Sequence, residues 1–230
     1  MNRITLFFTL IITIFSCMKK DAFYTDLGNY LQDIESEFTE IPDTRIETLR
    51  ELGNYVISSL KDDTQVQLVF ICTHNSRRSQ FGQLLALTAA QFYGIQNIST
   101  FSGGIASTAF NPRAVAAVKR AGFQVEKGVG RDDNPQYMIT SGKNFPGIAM
   151  FSKKYDDDAN PEDNFCAIMV CADADEACPV VPGAEDRLSM PYDDPKAFDD
   201  TGQEMAKYDE RCRQIAREMF YVFYYVKTSM

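Results

Sequence analysis

The chain has 230 residues, of which 45% are hydrophobic and 24% are charged, so its composition is that of an ordinary globular protein with material for one good core. Its 32 acidic residues outnumber its 23 lysines and arginines, which gives a formal net charge of -9. Because the phosphate backbone of nucleic acids attracts basic surfaces, this balance argues against a nucleic-acid partner. We expect one main domain with appended segments.

The N-terminus has the pattern of an export signal. A charged start at residues 1–3 precedes a short apolar run at residues 4–15, which is too brief to span a bilayer comfortably. The run is followed by Cys17, which resembles the lipid-modified first residue of a mature bacterial lipoprotein. The alternative is an N-terminal helix packed on the core. We expect residues 1–17 to be a signal peptide, Cys17 to be lipidated, and the protein to be exported and membrane-anchored, in the periplasm or at the cell surface.

Two helices are predicted before the first strand. Apolar residues recur at three and four positions from Phe23 to Phe38, and again from Ile46 to Leu60. The second helix follows Pro42, where Asp43 can cap it. We assign residues 18–62 as a helical extension, which covers the main domain at 63–230 or spaces it from a membrane.

The chain is organised around an apolar run, a polar loop and a helix. Residues 66–71 are rich in branched side chains, which is typical of a buried parallel strand, and residues 79–93 have a helical pattern. A loop between such a strand and helix points successive backbone N–H groups and the positive helix end at one place. The sequence therefore predicts an anion site in the loop that starts at Cys72 and ends at Arg78.

The residue types in this loop suit the chemistry of a nucleophilic cysteine. Amides beside a helix N-terminus stabilise the thiolate, which is the reactive form of Cys72. The planar guanidinium of Arg78 matches two oxygens of a tetrahedral oxyanion. Asn75 tolerates left-handed backbone, and the hydroxyl of Ser79 can donate to the thiolate. The remaining loop residues are predicted to contact the substrate as well; they are Thr73, His74, Ser76 and Arg77.

Cys72 and Arg78, with five residues between them and Ser79 and Gln80 after them, resemble the anion loop of the low-molecular-weight protein tyrosine phosphatase superfamily. The order of residues from Asn75 to Gln80 is most similar to its thioredoxin-coupled arsenate reductase branch. The resemblance covers about residues 65–226. It implies an α/β fold, a three-layer sandwich with a central four-stranded parallel sheet. The alternative is a buried cysteine beside a surface arginine.

The middle of the chain continues this pattern and then departs from it. Residues 100–105 resemble the second strand of the family with its glycine turn, and a helix is predicted from Asn111 to Gly122. Across residues 131–164 the resemblance lapses, and a hairpin insertion is predicted from residues 137–140 and 148–152. The three aspartates at 156–158 are interpreted as a solvated loop, because they lack the spacing of a dedicated calcium loop.

Two cysteines follow the next predicted strand, at residues 165–170. Cys171 and Cys178 flank an acidic segment, which resembles the redox segment of the thioredoxin-coupled arsenate reductases. The resemblance implies that they form a redox pair. A structural metal site is a weaker reading, because His74 is the only histidine and no second ligand pair is present. Buried, unreactive thiols are the remaining alternative, and we predict that role for Cys212.

Residues 190–195 resemble the general-acid loop of the family. Asp194 stands immediately before Pro195, and the resemblance implies that it gives a proton to the leaving oxygen, with Asp193 as its nearest competitor. An ordinary turn aspartate before proline is the alternative. Lys196 stands where the phosphatases commonly have an aromatic residue, which favours the reductase branch. A closing helix after Thr201 completes the predicted fold.

The sequence thus predicts an arsenate reductase-like enzyme. Cys72 would attack arsenate held by Arg78, Asp194 would protonate the departing oxygen, and the redox pair Cys171 and Cys178 would pass the disulfide to a thioredoxin-like reductant. The first alternative is a low-molecular-weight protein tyrosine phosphatase that hydrolyses phosphate monoesters, such as phosphotyrosine, through a cysteinyl-phosphate. The second is a lipoprotein that binds oxyanions without turnover. No cofactor or metal is predicted.

Overall fold

A computed structural model describes residues 22–230 of the chain. The predicted signal peptide and its Cys17 lie outside the described residues. None of the helices between residues 22 and 230 combines the length and the apolar character needed to cross a membrane.

Four parallel strands form the central sheet: β1 (Val66–Cys72), β2 (Ile98–Gly104), β6 (Phe165–Met169) and β7 (Ala184–Ser189). Their spatial order is β2, β1, β6, β7. Every residue of β6 is buried, as are all but one of β1. Strands covered on both faces need continuous apolar runs rather than alternation, and both segments have them. The predicted four-stranded parallel sheet is confirmed.

Helices pack around this sheet. They are α3 (Arg78–Tyr93), α4 (Pro112–Arg120), α5 (Ala172–Ala177) and α6 (Glu204–Ser229). The close fit of α3 on β1 depends on Gly82, because a Cβ there would lie 2.4 Å from the ring of Phe70. The α3 helix ends at Gly94 in the left-handed region, with φ of 66°. The sheet therefore holds the start of α3 at the carboxyl end of β1.

The N-terminal segment is helical, but its first helix is shorter than the periodicity predicts. Its elements are α1 (Thr25–Gln32), a 3-10 helix (Ile34–Glu40) and α2 (Asp43–Lys61). The 3-10 helix contacts α6, where Glu37 pairs with Arg213 and the ring of Phe38 lies 5.4 Å from that of Tyr221. Asp43 is the first helical residue of α2 rather than its cap. The boundary between the helical extension and the main domain stays a prediction. Residues of both segments contribute to one buried core.

A second, antiparallel sheet contains the predicted hairpin. Its strands are β3 (Gln124–Lys127), β4 (Tyr137–Thr140) and β5 (Ile148–Met150), in that order. The hairpin of β4 and β5 is confirmed, whereas β3 was not predicted. Three of its four residues are exposed, so β3 lacks the apolar alternation of a half-buried strand. The segment after β5 contacts the anion loop, because the hydroxyl of Ser152 donates to the carbonyl of His74 at 2.9 Å.

Candidate anion-binding site

The anion loop lies at the carboxyl end of the central sheet, between β1 and α3. Asn75 has φ of 47°, the left-handed backbone that the sequence predicted for it. Within residues 22–230, the backbone amides of His74, Asn75, Ser76 and Arg77 donate to no protein acceptor. Since free amides at a helix N-terminus bind anions, these four groups are suited to the oxygens of a tetrahedral oxyanion.

The side chain of Asn75 organises the loop from within. Its Oδ1 accepts from the backbone N–H of Lys153 at 2.9 Å, so its Nδ2 is the donor to Ser79 Oγ, also at 2.9 Å. Ser79 Oγ lies 3.1 Å from Cys72 Sγ. Because Oγ already accepts from Asn75, the hydroxyl hydrogen is available to the sulfur, where it stabilises a thiolate. The sequence predicted the role of Ser79 but only the backbone role of Asn75.

Arg78 is 9% exposed and turns its guanidinium toward the loop that carries Asp194. Its Nη1 donates to the carbonyl of Tyr192 at 2.9 Å and its Nη2 to Asp194 Oδ2 at 2.9 Å. Its Nε is buried and has no hydrogen-bond partner among the described residues. Nε and Nη2 share one edge of the guanidinium, which is the fork that binds two oxygens of an oxyanion.

The cavity in front of Cys72 has a volume of about 10 Å³, which is room for about one water molecule. Asp194 closes it, because its carboxylate lies between the guanidiniums of Arg77 and Arg78. An arsenate or phosphate ion therefore needs Asp194 to move. The residues that line the cavity are Cys72, His74, Ser76, Arg77, Arg78 and Asp194.

The charge of Asp194 is controlled by its neighbours. Burial is the largest single influence and disfavours the carboxylate, but the hydrogen bonds from Arg77, the charge of Arg78 and the N–H of Lys196 together outweigh it. The pKa of Asp194 therefore lies below its ordinary value, and the group is an anion in this state. Its competitor Asp193 has a side chain that is 97% exposed and lies 3.5 Å from Arg211, outside the cavity.

The structure brings Cys171 close to the anion loop. In the parallel ladder Ile71 pairs with Met169, so Cys171 follows β6 opposite Thr73, and its Sγ lies 3.5 Å from Thr73 Oγ1. Neighbouring strands about 4.8 Å apart, with a step of about 3.3 Å per residue, put the Cα atoms of Cys72 and Cys171 about 6 Å apart. This separation lies within the range of disulfides, but Cys171 is in register with Thr73, and successive residues of a strand point to opposite faces of the sheet, so the two sulfurs can meet only if the backbone moves.

Cys178 is held away from Cys171 by helix α5. The two cysteines flank that helix, and seven helical steps of about 1.5 Å separate them by about 10 Å. All five cysteines of the described part of the chain are free thiols. Burial raises the pKa of Cys166 above its usual range and that of Cys212 to about 12, so neither sulfur is a nucleophile at neutral pH. Between residues 22 and 230 no cluster of His, Cys, Asp or Glu is arranged to hold a metal ion.

The chain was compared with known proteins, and no family model matches it. It is 25% identical over 146 residues to an arsenate reductase of Bacillus licheniformis, an alignment that covers 64% of this chain and 86% of that protein. It is 27% identical over 136 residues to arsenate reductase 1 of Staphylococcus epidermidis, covering 57% of this chain and 80% of the relative.

Two solved structures align with lower similarity. One is an arsenate reductase in the phosphate-binding state, with 18% identity, a TM-score of 0.46, and coverage of 70% of this chain and 98% of that one. The other is a mutant of YwlE from Bacillus subtilis, with 13% identity, a TM-score of 0.46, and coverage of 69% and 97%. The strand order above, not these alignments, defines the fold. The chain is thus similar in sequence to arsenate reductases, and its anion loop has the cysteine-to-arginine spacing of the low-molecular-weight protein tyrosine phosphatase superfamily.

Proposed function

We propose that this chain is an arsenate reductase that uses Cys72 as nucleophile and Cys171 and Cys178 as a redox pair. The observation that carries the proposal is the position of Cys171, which follows β6, the strand beside β1, and contacts Thr73 of the anion loop. Hydrolysis of a phosphate ester needs only one thiol, whereas reduction of arsenate needs a second thiol within disulfide reach. The curated relatives are also named arsenate reductases.

The first step forms a bond between sulfur and arsenic. Arsenate displaces Asp194 from Arg78 and binds to the loop amides and the guanidinium edge. The thiolate of Cys72 attacks arsenic, the bond from arsenic to one hydroxyl oxygen breaks, and that oxygen takes a proton from Asp194 and leaves as water. Asp194 gains this proton once it has left the arginines and faces a dianion, because both changes favour its neutral form.

The second step transfers two electrons to arsenic. The thiolate of Cys171 attacks Cys72 Sγ, the sulfur–arsenic bond breaks, and its electron pair leaves with arsenite. Cys178 then attacks Cys171 Sγ, which releases the thiolate of Cys72 and leaves a disulfide between Cys171 and Cys178. A thioredoxin-like dithiol reduces that disulfide. Helix α5 must unwind for this exchange, since it holds Cys178 about 10 Å away.

The lining of the cavity supports a small inorganic substrate. A phosphotyrosine ring would pack against an aromatic or apolar wall, and no aromatic side chain is among the residues that line the cavity. Lys196, which follows the general-acid pair of Asp194 and Pro195, adds charge rather than an aromatic surface.

The deciding experiment compares arsenate reduction, with a dithiol reductant and a thioredoxin system, against hydrolysis of an aryl phosphate. In an assay of pre-reduced protein without added reductant, we expect Cys178→Ser to release one arsenite per protein and to stop with a disulfide between Cys72 and Cys171, identified by mass spectrometry of peptides. Cys171→Ser should bind arsenate without releasing arsenite. The matched control is Cys166→Ser, because Cys166 is a buried cysteine on β6, the strand that precedes Cys171; this variant should retain multiple turnovers.

The phosphatase remains the second candidate, because Cys72, Arg78 and Asp194 suffice for a cysteinyl-phosphate mechanism. It is favoured if aryl phosphate is hydrolysed and both Cys171→Ser and Cys178→Ser keep full rates. A protein that only binds oxyanions would show phosphate binding that Arg78→Ala abolishes, with neither activity in the unaltered chain.

A separate proposal concerns location. The N-terminal pattern supports export and lipid attachment at Cys17, in which case the reductant is an exported thioredoxin-like protein rather than a cytosolic one. Cys17→Ser in the full chain should then lose signal processing and membrane association. Equal processing and equal membrane association of the two forms would exclude lipid attachment there.

A further inference from the structure

A buried ion pair joins the N-terminal helices to the closing helix. Arg45, in the first turn of α2, donates from Nε to Glu218 Oε2 on α6 at 2.7 Å. Glu218 is 2% exposed, and its other oxygen accepts from Gln214 at 3.0 Å. A carboxylate so buried is costly without a partner of opposite charge, so Arg45 is required where Glu218 is charged.

The same pair holds the loop that carries Asp194. The hydroxyl of Tyr192 donates to Glu218 Oε2 at 2.8 Å, and the guanidinium of Arg45 lies over the tyrosine ring, 4.6 Å from its centroid. Arg45 Nη2 also donates to the carbonyl of Met190 at 3.3 Å. Burial, followed by the charge of Glu218, raises the pKa of Tyr192 well above its usual value, so its hydroxyl stays a donor.

The opposite side of this loop touches the anion site. The carbonyl of Tyr192 accepts from Arg78 Nη1 at 2.9 Å, and two residues later Asp194 binds Arg78 Nη2 at 2.9 Å. Tyr192 therefore has its side chain fixed by Arg45 and Glu218, and its backbone fixed by the arginine of the anion loop. A change in the contacts of the Tyr192 side chain with Arg45 and Glu218 therefore alters how firmly the loop holds Asp194 against Arg78.

We propose that Arg45 is a positioning residue, through which the N-terminal helix α2 controls how strongly Asp194 competes with an oxyanion for Arg78. The binding part of this inference needs only the anion site, and its kinetic part rests on the proposed role of Asp194 as proton donor. With Arg45 in place the loop keeps Asp194 on the guanidiniums. Without Arg45, less free energy is needed to displace Asp194 from Arg78. An oxyanion then binds Arg78 more tightly, but Asp194 is less well placed to donate a proton.

The test measures binding of inorganic phosphate by calorimetry, together with kcat on whichever substrate is turned over. Arg45→Met keeps the aliphatic part of the side chain and removes the charged guanidinium. Arg45→Lys keeps the positive charge but loses the paired N–H donors of the guanidinium. We expect Arg45→Met to bind phosphate about fivefold more tightly, at the low end of typical coupling between sites, and to lose about tenfold in kcat. Arg50→Met is the matched control, because Arg50 lies on the same helix and, within residues 22–230, its guanidinium interacts with the hydroxyl of Tyr221 and the ring of Tyr225 on α6.

A purely structural role of Arg45 would weaken phosphate binding and lower kcat together. Unchanged or weaker phosphate binding in Arg45→Met overturns the proposal. The coupling is checked in the Asp194→Asn background, where Arg45→Met should no longer alter phosphate affinity because the competing carboxylate is gone. An effect that persists there also overturns it.

Tyr192→Phe serves if Arg45→Met does not fold, since it removes one hydrogen bond and leaves Glu218 paired. It should tighten phosphate binding by a smaller factor in the same direction, and unchanged affinity counts against the proposal. If the unaltered chain shows neither arsenate reduction nor ester hydrolysis while these variants still bind phosphate more tightly, the proposed function fails and the control of Asp194 by Arg45 stands.

Discussion

Arg77 binds Asp194 through two parallel hydrogen bonds, from Nε to Oδ1 at 2.7 Å and from Nη2 to Oδ2 at 3.1 Å. Arg78 donates to the same Oδ2 at 2.9 Å, so one carboxylate bridges two guanidiniums. Asp194 thus occupies the donors that an oxyanion would use. Substrate binding is an exchange of one anion for another, and the exchange frees the carboxylate to take up a proton.

The first prediction concerns Arg77→Met. Removing this guanidinium takes away two hydrogen bonds and a positive charge that stabilise ionised Asp194, so the pKa of Asp194 rises. In the ligand-free protein, where Asp194 lies on the two arginines, an NMR titration of its carboxylate should give a pKa about one unit higher in Arg77→Met than in the unaltered chain.

Arg113→Met is the control for this shift, since Arg113 pairs with Asp199, Asp200 and Glu204 rather than with Asp194. An unchanged or lower pKa of Asp194 in Arg77→Met would contradict the conclusion that Arg77 keeps this carboxylate ionised.

The second prediction concerns the hold on helix α5. Arg187 on β7 donates from Nε to the carbonyl of Cys178 at 3.0 Å and from Nη2 to the carbonyl of Asp175 at 2.8 Å, and it also pairs with the Asp175 carboxylate. These contacts must break before Cys178 can reach Cys171. Arg187→Met should therefore speed exchange of the amide hydrogens in residues 172–178, and it should speed the second disulfide step several-fold.

Hydrogen exchange followed by mass spectrometry checks the first of these effects without any turnover. Arg131→Met removes an exposed ion pair with Asp133 and is the control. Unchanged exchange in Arg187→Met would show that Arg187 does not restrain the helix.

The parts of the fold that the sequence predicted are those whose signal is local. Branched apolar runs indicate β1 and β6, and the loop after β1 has its cysteine, arginine and serine at fixed spacing. Contacts between distant residues leave no such pattern. Arg77 lies 117 positions from Asp194 and Arg45 lies 173 from Glu218, so neither pair was predictable from spacing. The exposed strand β3 was missed for want of apolar alternation.

The third prediction tests how tightly the anion loop packs on the turn after β2. A Cβ added at Gly104 would lie 2.3 Å from the carbonyl oxygen of Ala106 and 2.7 Å from the amide nitrogen of Asn75. Gly104→Ala should therefore push the loop amides out of line, weaken phosphate binding by about tenfold or more, and lower stability by about 1–3 kcal/mol.

Phosphate protection of Cys72 from alkylation by iodoacetamide measures the first effect, and chemical unfolding the second. Gly202→Ala is the matched control, because a Cβ at that position would have no atom of residues 22–230 within 4 Å apart from its neighbours in the chain. Full protection by phosphate in Gly104→Ala would mean that the loop does not depend on this contact.

The last prediction concerns Lys153, which is 4% exposed, with its ammonium 4.8 Å from the centroid of the Phe151 ring. Burial lowers its pKa to about 8, and the charge of Asp157 opposes this only in part. The pKa of Lys153 is lower in the folded protein than in the unfolded chain. Below about pH 8, where Lys153 is protonated in both the folded and the unfolded protein, its buried charge therefore lowers the free energy of unfolding. The penalty is relieved as the pH rises from about 8 to about 10.5.

Lys153→Met keeps the length of the side chain and removes the charge. It should stabilise the protein at pH 7 by at most about 3 kcal/mol, and the gain should shrink as the pH rises above about 8. Urea unfolding at several pH values measures it, with the exposed neighbour Lys154→Met as control. The backbone of Lys153 keeps its hydrogen bonds to Asn75 and Gly104, so phosphate binding should persist. A gain independent of pH would show that packing of the new side chain, rather than relief of a buried charge, is responsible.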